Sequence, residues 1–216
     1  MKYTGKPKRI LVTGHKGFVG KALMPVLKEK YGDIVYGWDL IYGEDIFADE
    51  FETEMLHSDV VIHLAALTNV NESFENKGSF IRVNVLGTAR VCELAVKYGV
   101  KLVYPSSAAI YHKELSPYAE TKALAEELCR MVSEFHPVTI LRFFNIYGRN
   151  MNPDSGSVMY EFMQGAKKGK IVIFGDGEQT RDFIWLDDVV KIVAESLQKR
   201  WNSLTVDVGS SQAYSI

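Results

Sequence analysis

The first apolar run, Arg9-Ile10-Leu11-Val12-Thr13, is short and β-branched and ends in glycines, the pattern of a strand buried on both faces. Behind it, Gly14-His15-Lys16-Gly17-Phe18-Val19-Gly20 leads into helical spacing from about residue 21 to 30. Pro25 sits awkwardly there, because proline gives up a backbone hydrogen bond and can kink a helix. Asp33–Asp39 (DIVYGWD) predicts a second strand, Asp45-Ile46 a short third and Asp59–Ala66 (DVVIHLAA) a fourth. Between about 80 and 98, Val83, Leu86, Val91, Leu94 and Ala95 fall on one helical stripe. Val100–Ser106 predicts a fifth strand and Val138–Phe144 a sixth. Between them, Ser116-Pro117 supplies the cap and first-turn proline of a helix reaching about Phe135.

Strands alternating with helices from residue 9 to 145 predict an α/β fold of the Rossmann type, a doubly wound parallel sheet with helices on both faces. Such sheets bind ligands at the carboxyl ends of their strands. The reading divides the chain into a dinucleotide-binding part, residues 1–146, and a small remainder, residues 147–216, interleaved with it. The remainder predicts helices over 159–168 and 187–199 and strands over 170–174 and 205–208. No linker, repeat or low-complexity segment is visible.

Composition changes this picture little. The 216 residues are 47% hydrophobic and 24% charged, with a formal net charge of -2. That balance is ordinary for a globular chain and speaks against a broad nucleic-acid or anionic-membrane surface. Cys92 and Cys129, the only cysteines, both fall in helical segments and read as small buried hydrophobes rather than a disulfide or zinc site. Met1–Arg9 is polar and basic without an apolar signal core, and no run approaches transmembrane length. A soluble, cytoplasmic protein is the expectation. Asp187 reads as the cap of the following helix, and no metal is expected.

The candidate chemistry begins at the glycines. Gly14, Gly17 and Gly20 lie between a strand and a helix, where their lack of a side chain allows a tight turn and close approach of backbone to a pyrophosphate. Asp39, at the end of the second strand, is placed to bind a ribose 2′-hydroxyl and to repel a 2′-phosphate, which favours NAD over NADP. Tyr118 and Lys122 lie one helical turn apart on one face. A nearby ammonium and an oxidised nicotinamide both favour a tyrosine phenolate, so the pair suits a general base. Ser107 falls at the carboxyl end of the fifth strand, and His63 reads as a satisfied core histidine.

TGHKGFVG, Asp39, Asp45-Ile46, HLAA at 63–66, Asn84 in NVLGT, SSAAIY at 106–111, YAETK at 118–122 and LRFFNIYG at 141–148 resemble, in order and spacing, the extended short-chain dehydrogenases/reductases. HLAALTNVNES at 63–73 is especially similar to the UDP-galactose 4-epimerase group. The resemblance spans nearly the whole chain. It implies that Phe18 and Val19 line the pyrophosphate turn, that Asp45 and Ile46 meet the adenine, and that Leu64, Ala65, Ala66, Leu67 and Thr68 border the cofactor. Asn84 and Phe144 fall to the nicotinamide side, with Ser106, Tyr118 and Lys122 also beside the cofactor. Ser107, Tyr118 and Lys122 become the catalytic set. Ser107, Asn145 and Arg181 become substrate contacts, with Arg181, in the segment GDG…TRDFI, gripping a nucleotide diphosphate.

Related 4,6-dehydratases carry an Asp-Glu pair after the catalytic hydroxyl residue; here Ala108-Ala109 offers neither acid nor base for eliminating water. The implied function is an NAD-dependent epimerase on a nucleotide-diphosphate sugar, most plausibly a UDP-sugar 4-epimerase working through a transient keto sugar. The alternatives are a sugar-nucleotide reductase or dehydrogenase of the same family, and a non-catalytic NAD-binding regulatory protein. Two departures stand out: the segment between Tyr111 and Tyr118 is short, and the substrate part reads as truncated after DVGSSQAYSI. A homodimer through the helices near 80–98 and 117–135 is expected, with no nucleic-acid or membrane partner.

Overall fold

A computed structural model of the chain describes residues 6–151, 153, 156–173 and 175–216. The leader Met1–Gly5 and the expected strand end at Phe174 lie outside them. Strands β1 (Ile10–Thr13), β2 (Val35–Trp38), β3 (Val60–His63), β4 (Lys101–Ser107), β5 (Val138–Phe143) and β8 (Leu204–Val208) form one parallel sheet in the order β2-β1-β3-β4-β5-β8. The chain winds outward one way from β1 to β2 and the other way from β3, so the switch point lies between β1 and β3, where such sheets open a crevice. Three short strands, β6 (Asn145–Tyr147), β7 (Thr180–Trp185) and β9 (Ala213–Ser215), make a second sheet in the order β6-β7-β9.

Alternation along β1 explains the two cores. Ile10 and Val12 face one side, with Leu23 and Leu27 of α1 (Phe18–Tyr31) and Val189 and Val193 of α8 (Leu186–Glu195). Leu11 faces the other, with Phe51 and Met55 of α2 (Asp49–His57), Val91 and Leu94 of α5 (Gly87–Tyr98), and Ala125 and Cys129 of α6 (Pro117–Ser133). Each such Val, Leu, Ile, Phe or Met side chain stabilises the fold by about 1.5–3 kcal/mol when fully buried. Pro25 lies on the exposed side of an unbroken α1. Lys101 is fully buried and donates from Nζ to the carbonyls of Ser196 and Gln198, closing the carboxyl end of α8. Burial lowers its ammonium to about 8.

Several expectations are corrected. Asp45-Ile46 is a turn and not a strand: the Asp45 carboxylate accepts from Phe47 N at 3.0 Å, a local bond that bends the chain before α2. Residues 170–173 form no strand, and their apolar side chains Ile171, Val172 and Ile173 stand exposed. The helix expected over 80–98 is three pieces: α4 (Lys77–Phe80), a π-helical turn (Ile81–Leu86) and α5. Asp187 does not cap α8. Trp185 holds that position, and Asp187 and Asp188 place negative charge in the first turn, where the helix dipole favours it. α3 (Val70–Glu75) and α7 (Val158–Lys167) complete the helices used below. Among the described residues, no helix is long and apolar enough to cross a membrane.

His63 ends β3 inside the protein, with Nδ1 2.8 Å from Thr13 Oγ1 and Nε2 3.3 Å from Thr88 Oγ1. Thr88 spends its proton on Asn84 O, which assigns the ring proton to Nε2. Burial first, and the nearby Lys122 charge second, hold this histidine down at about 3 rather than 6.5. The unfolded chain binds that proton near pH 6.5 and the folded chain only near pH 3, so stability falls as pH is lowered through the window. Unfolding free energies from urea titrations between pH 7 and 4 are expected to drop at up to about 1.4 kcal/mol per pH unit from this group. His63→Asn is expected to flatten that slope, and an unchanged slope in the variant would contradict the assignment.

Candidate active site

The turn after β1 is built on close approach. Gly14 has φ +66°, and a Cβ there would lie 2.6 Å from Ala65 N, at the end of β3. A Cβ on Gly20 would lie 2.5 Å from Gly14 O. Gly14 N donates to Trp38 O and Gly17 N to Gly14 O, so the turn is tied to β2 and closed on itself. Gly17 caps α1 without a side-chain bond, and no acid stands in the first turn. The leading N–H groups and the positive end of the helix are therefore open to an anion. Phe18 and Val19 turn their side chains into the core, so what they offer at the turn is backbone.

A cavity of about 350 Å³ opens at the switch point. Gly14, Gly17, Asp39, Asp45, Ile46, Leu64, Ala65, Ala66 and Leu67 line it together, and Thr68 stands exposed beyond it. Asp39 accepts from Lys16 N at 2.7 Å and Ile41 N at 3.1 Å, which aims its carboxylate while leaving lone pairs for a further donor. Trp38, Leu40, Glu44, Phe47, Arg82 and Val83 also line the cavity and were not singled out in the sequence. The neighbours of Asp39 and Asn84 in the chain were the signal that could have found Trp38 and Arg82. These features, a cradle that any Cβ would fill and an uncapped helix start beside a nucleoside-sized cavity, fit a dinucleotide.

Asn84, in the π-helical turn, is buried. Its amide brackets Leu67 from both sides, accepting from Leu67 N at 2.9 Å and donating to Leu67 O at 3.0 Å, and it also donates to Thr121 Oγ1 of α6. The loop after β3 is thereby fixed to the helix that carries Tyr118 and Lys122.

Ser116 Oγ accepts from Ala119 N and Pro117 takes the first turn, which starts α6 at the carboxyl edge of β4. Ser107 Oγ accepts from Ala109 N at 3.1 Å, and Ser107 is the side chain that acts to lower the Tyr118 hydroxyl. Lys122, almost fully buried, donates from Nζ to Pro105 O at 2.7 Å and lies 4.3 Å from the centre of the Tyr104 ring. Burial lowers its ammonium to about 8. Burial raises the Tyr118 hydroxyl above its ordinary range, and only the Ser107 bond draws it back. Lys122 is anchored by the Pro105 carbonyl, and in the protein without a cofactor burial outweighs any lowering of Tyr118. Ser106 turns away from Ser107, since successive strand residues face opposite sides, and gives its hydroxyl to Glu126 at 2.5 Å.

On the other flank, Phe144 N donates to Val208 O, and Asn145 is exposed with its amide donating to Asp182 O at 2.8 Å. Arg181 is exposed on β7 and donates to Thr180 O; it lines neither opening described here. A wider opening of about 610 Å³, lined by Tyr147, Phe162, Phe183, Trp185 and Tyr214 among others, lies at the small sheet and includes none of Ser107, Tyr118 and Lys122. Cys92 and Cys129 are buried free thiols, their sulfurs 3.7 Å apart. Among the described residues, no three His, Cys, Asp or Glu side chains gather to hold a metal ion.

A parallel sheet with a glycine cradle at its switch point and a Ser-Tyr-Lys cluster two strands away defines an extended short-chain dehydrogenase/reductase. Residues 10–209 match the NAD dependent epimerase/dehydratase family, and the chain belongs to it. It is 31% identical to a putative UDP-glucose 4-epimerase of Methanocaldococcus jannaschii over 96% of this chain and 78% of that one. It is 29% identical to the UDP-N-acetyl-alpha-D-glucosaminuronate decarboxylase of Bacillus cytotoxicus over 97% and 77%. The solved structure of MoeE5 in complex with UDP-glucose and NAD is similar with a TM-score of 0.83 and 30% identity, over 96% of this chain and 78% of that one. The family is NAD-dependent.

Gly14→Ala must fit a Cβ into backbone at positive φ. It is expected to weaken NAD binding at least about tenfold, about 1.4 kcal/mol. The measurement is a titration followed by protein fluorescence, with far-UV circular dichroism confirming the fold. Wild-type affinity in the variant would count against the cradle.

Proposed function

We propose that the protein is an NAD-dependent UDP-sugar 4-epimerase. The observation that carries this reading is the gathering of Ser107 at the end of β4 with Tyr118 and Lys122 in the first turns of α6, tied to β4 through Lys122 and one strand over from the loop that borders the nucleotide cavity. The nucleotide chain would lie with adenine at Asp45 and Ile46, ribose on Asp39, pyrophosphate on the Gly14–Gly20 turn and the α1 terminus, and nicotinamide toward Asn84 and Phe144. Oxidised NAD supplies, when bound, a hydride acceptor and a positive charge.

In the protein alone, burial keeps Tyr118 protonated. An added positive charge beside it favours the phenolate. Tyr118 Oη then takes the proton of the sugar 4-hydroxyl, Ser107 holds that hydroxyl in line, and Lys122 steadies the helix turn carrying Tyr118. After the keto sugar presents its other face, Tyr118 returns the same proton, so protons and redox balance over the cycle. Ala108 and Ala109 carry no acid or base for eliminating water. Asn145 and Arg181 are the substrate contacts of this reading, with Arg181 swinging from Thr180 O to a diphosphate. A cytoplasmic setting belongs to the same proposal, since NAD and nucleotide sugars meet there.

A second reading is favoured by the decarboxylase similarity. Oxidation at C4 of a uronate makes a β-keto acid, which loses carbon dioxide readily, so the same residues could serve either outcome.

Product analysis separates them. UDP-glucose, its N-acetyl form and UDP-glucuronate, each offered with NAD, are expected to yield their 4-epimers without net NADH. Tyr118→Phe is expected to lower that turnover by ~10²–10⁴-fold. A UDP-pentose from UDP-glucuronate would favour the decarboxylase, and net NADH would favour a dehydrogenase.

A homodimer belongs to this proposal too. Leu124 and Met131 are exposed on α6 with Phe135 just past its end, and Val96 is exposed on α5 with Leu86 just before it. This apolar face matches what two helices per subunit would bury in a four-helix contact. Light scattering across a tenfold concentration range is expected to give twice the chain mass, and a monomer throughout would contradict it.

A further inference from the structure

Tyr118, Lys122 and Glu126 stand at i, i+4 and i+8 on α6 and share one face of it. Two of them grip consecutive residues of β4: Lys122 Nζ holds Pro105 O at 2.7 Å, and Glu126 Oε2 accepts from Ser106 Oγ at 2.5 Å. The next residue on that strand is Ser107. Glu126 is buried, and a buried carboxylate needs partners. Arg142 supplies them as a fork, with Nε at 3.0 Å and an NH2 group at 2.7 Å from Oε1.

Register makes this a line across the sheet. Ser106 on β4 pairs with Arg142 on β5, and Arg142 with Asp207 on β8. The remaining Arg142 NH1 donates to the Tyr111 hydroxyl at 2.7 Å, and that hydroxyl lies 2.7 and 2.8 Å from the two Asp207 oxygens. Tyr111 belongs to the 3₁₀ segment Ala108–Leu115, which Ser107 itself caps. The segment is therefore held at its start by the Ser107 cap and again at Tyr111 by Arg142 and Asp207.

We propose that Glu126, clamped by Arg142, is a positioning residue that fixes the Ser107–Tyr118 pairing by locking α6 to β4. It touches neither substrate nor cofactor; it acts by holding the serine and the tyrosine at one separation. The proposal rests on the reading of Ser107 and Tyr118 as the reacting pair. Small displacements of a reacting pair cost far more in rate than in binding, because binding is spread over many contacts.

The test uses the full chain loaded with NAD, comparing wild type, Glu126→Gln, Ser106→Ala and Tyr118→Phe. Glu126→Gln keeps the shape and loses the charge that closes the Arg142 fork. Ser106→Ala cuts only the link to β4 and leaves the buried ion pair whole, so it guards against a variant that fails to fold. Glu126→Gln is expected to bind NAD as wild type does, and both variants to keep KM for the UDP-sugar within about threefold. Turnover is expected to fall about 10- to 100-fold in Glu126→Gln and less in Ser106→Ala.

Titration of Tyr118, read from ¹³C-labelled tyrosine by NMR and assigned with Tyr118→Phe, is expected to move upward in both as the Ser107 bond loosens. Tyr104 and Lys122 also face that hydroxyl and are unchanged in both variants. Lowered melting temperature with unchanged kcat and an unchanged Tyr118 titration would make Glu126 a structural ion pair and overturn the proposal. If wild type epimerises nothing, the catalytic reading fails, while the titration still decides whether Glu126 sets the Tyr118–Ser107 pairing.

Discussion

The rest of the molecule depends on how closely the first turn approaches the end of β3. Gly14 lies so near the backbone of Leu64 and Ala65 that no side chain fits between them. That contact lets β1 and β3 sit side by side while the chain departs from each in a different direction, and this divergence is what opens a crevice in a parallel sheet. Asp39, the α1 terminus and the Leu64–Leu67 loop all reach the crevice because the turn leaves nothing in the way. A fold made rigid by two apolar layers thus exposes backbone at one edge, where bare peptide groups are useful.

Charge is arranged with similar economy. Lys122, Lys101, Glu126 and His63 are all buried polar groups near or under the sheet, and each has a different settlement. Lys101 closes a helix end, His63 stays neutral between two threonines, and Glu126 is neutralised by Arg142. Lys122 is held by a carbonyl of β4, which ties α6 to the strand beside Ser107.

Much of this was legible along the chain. A β-branched run closed by glycines before a helix leaves few alternatives, and Ser116-Pro117 announces the start of α6 through bonds made within four residues. The illegible parts are of two kinds, one decided by a local side-chain bond and the rest decided at a distance. Asp45-Ile46 looks like a strand until its carboxylate is seen bending the backbone locally. α2 buries only Phe51 and Met55, too sparse a stripe to stand out among its acids. β6, β7 and β9 are short and pair only with each other, so their periodicity is weak. At the site, the spacing of Tyr118 and Lys122 told which face they share but not that Pro105 would claim the ammonium. The same spacing extended one turn to Glu126, whose meaning appeared only when Arg142 arrived from β5.

The π-helical turn at Ile81–Leu86 has a consequence for how such a chain can change over generations. A π turn holds one residue more than the α-helix would, and Asn84 sits inside it. Substitutions around Asn84 alter what it touches by degrees. A single-codon deletion nearby is different in kind: it would restore regular winding and remove the bulge that carries Asn84. Asn84 would leave Leu67, and the loop after β3 would lose its bracket to α6. In this stretch the length of the chain, more than its spelling, is what heredity has to preserve.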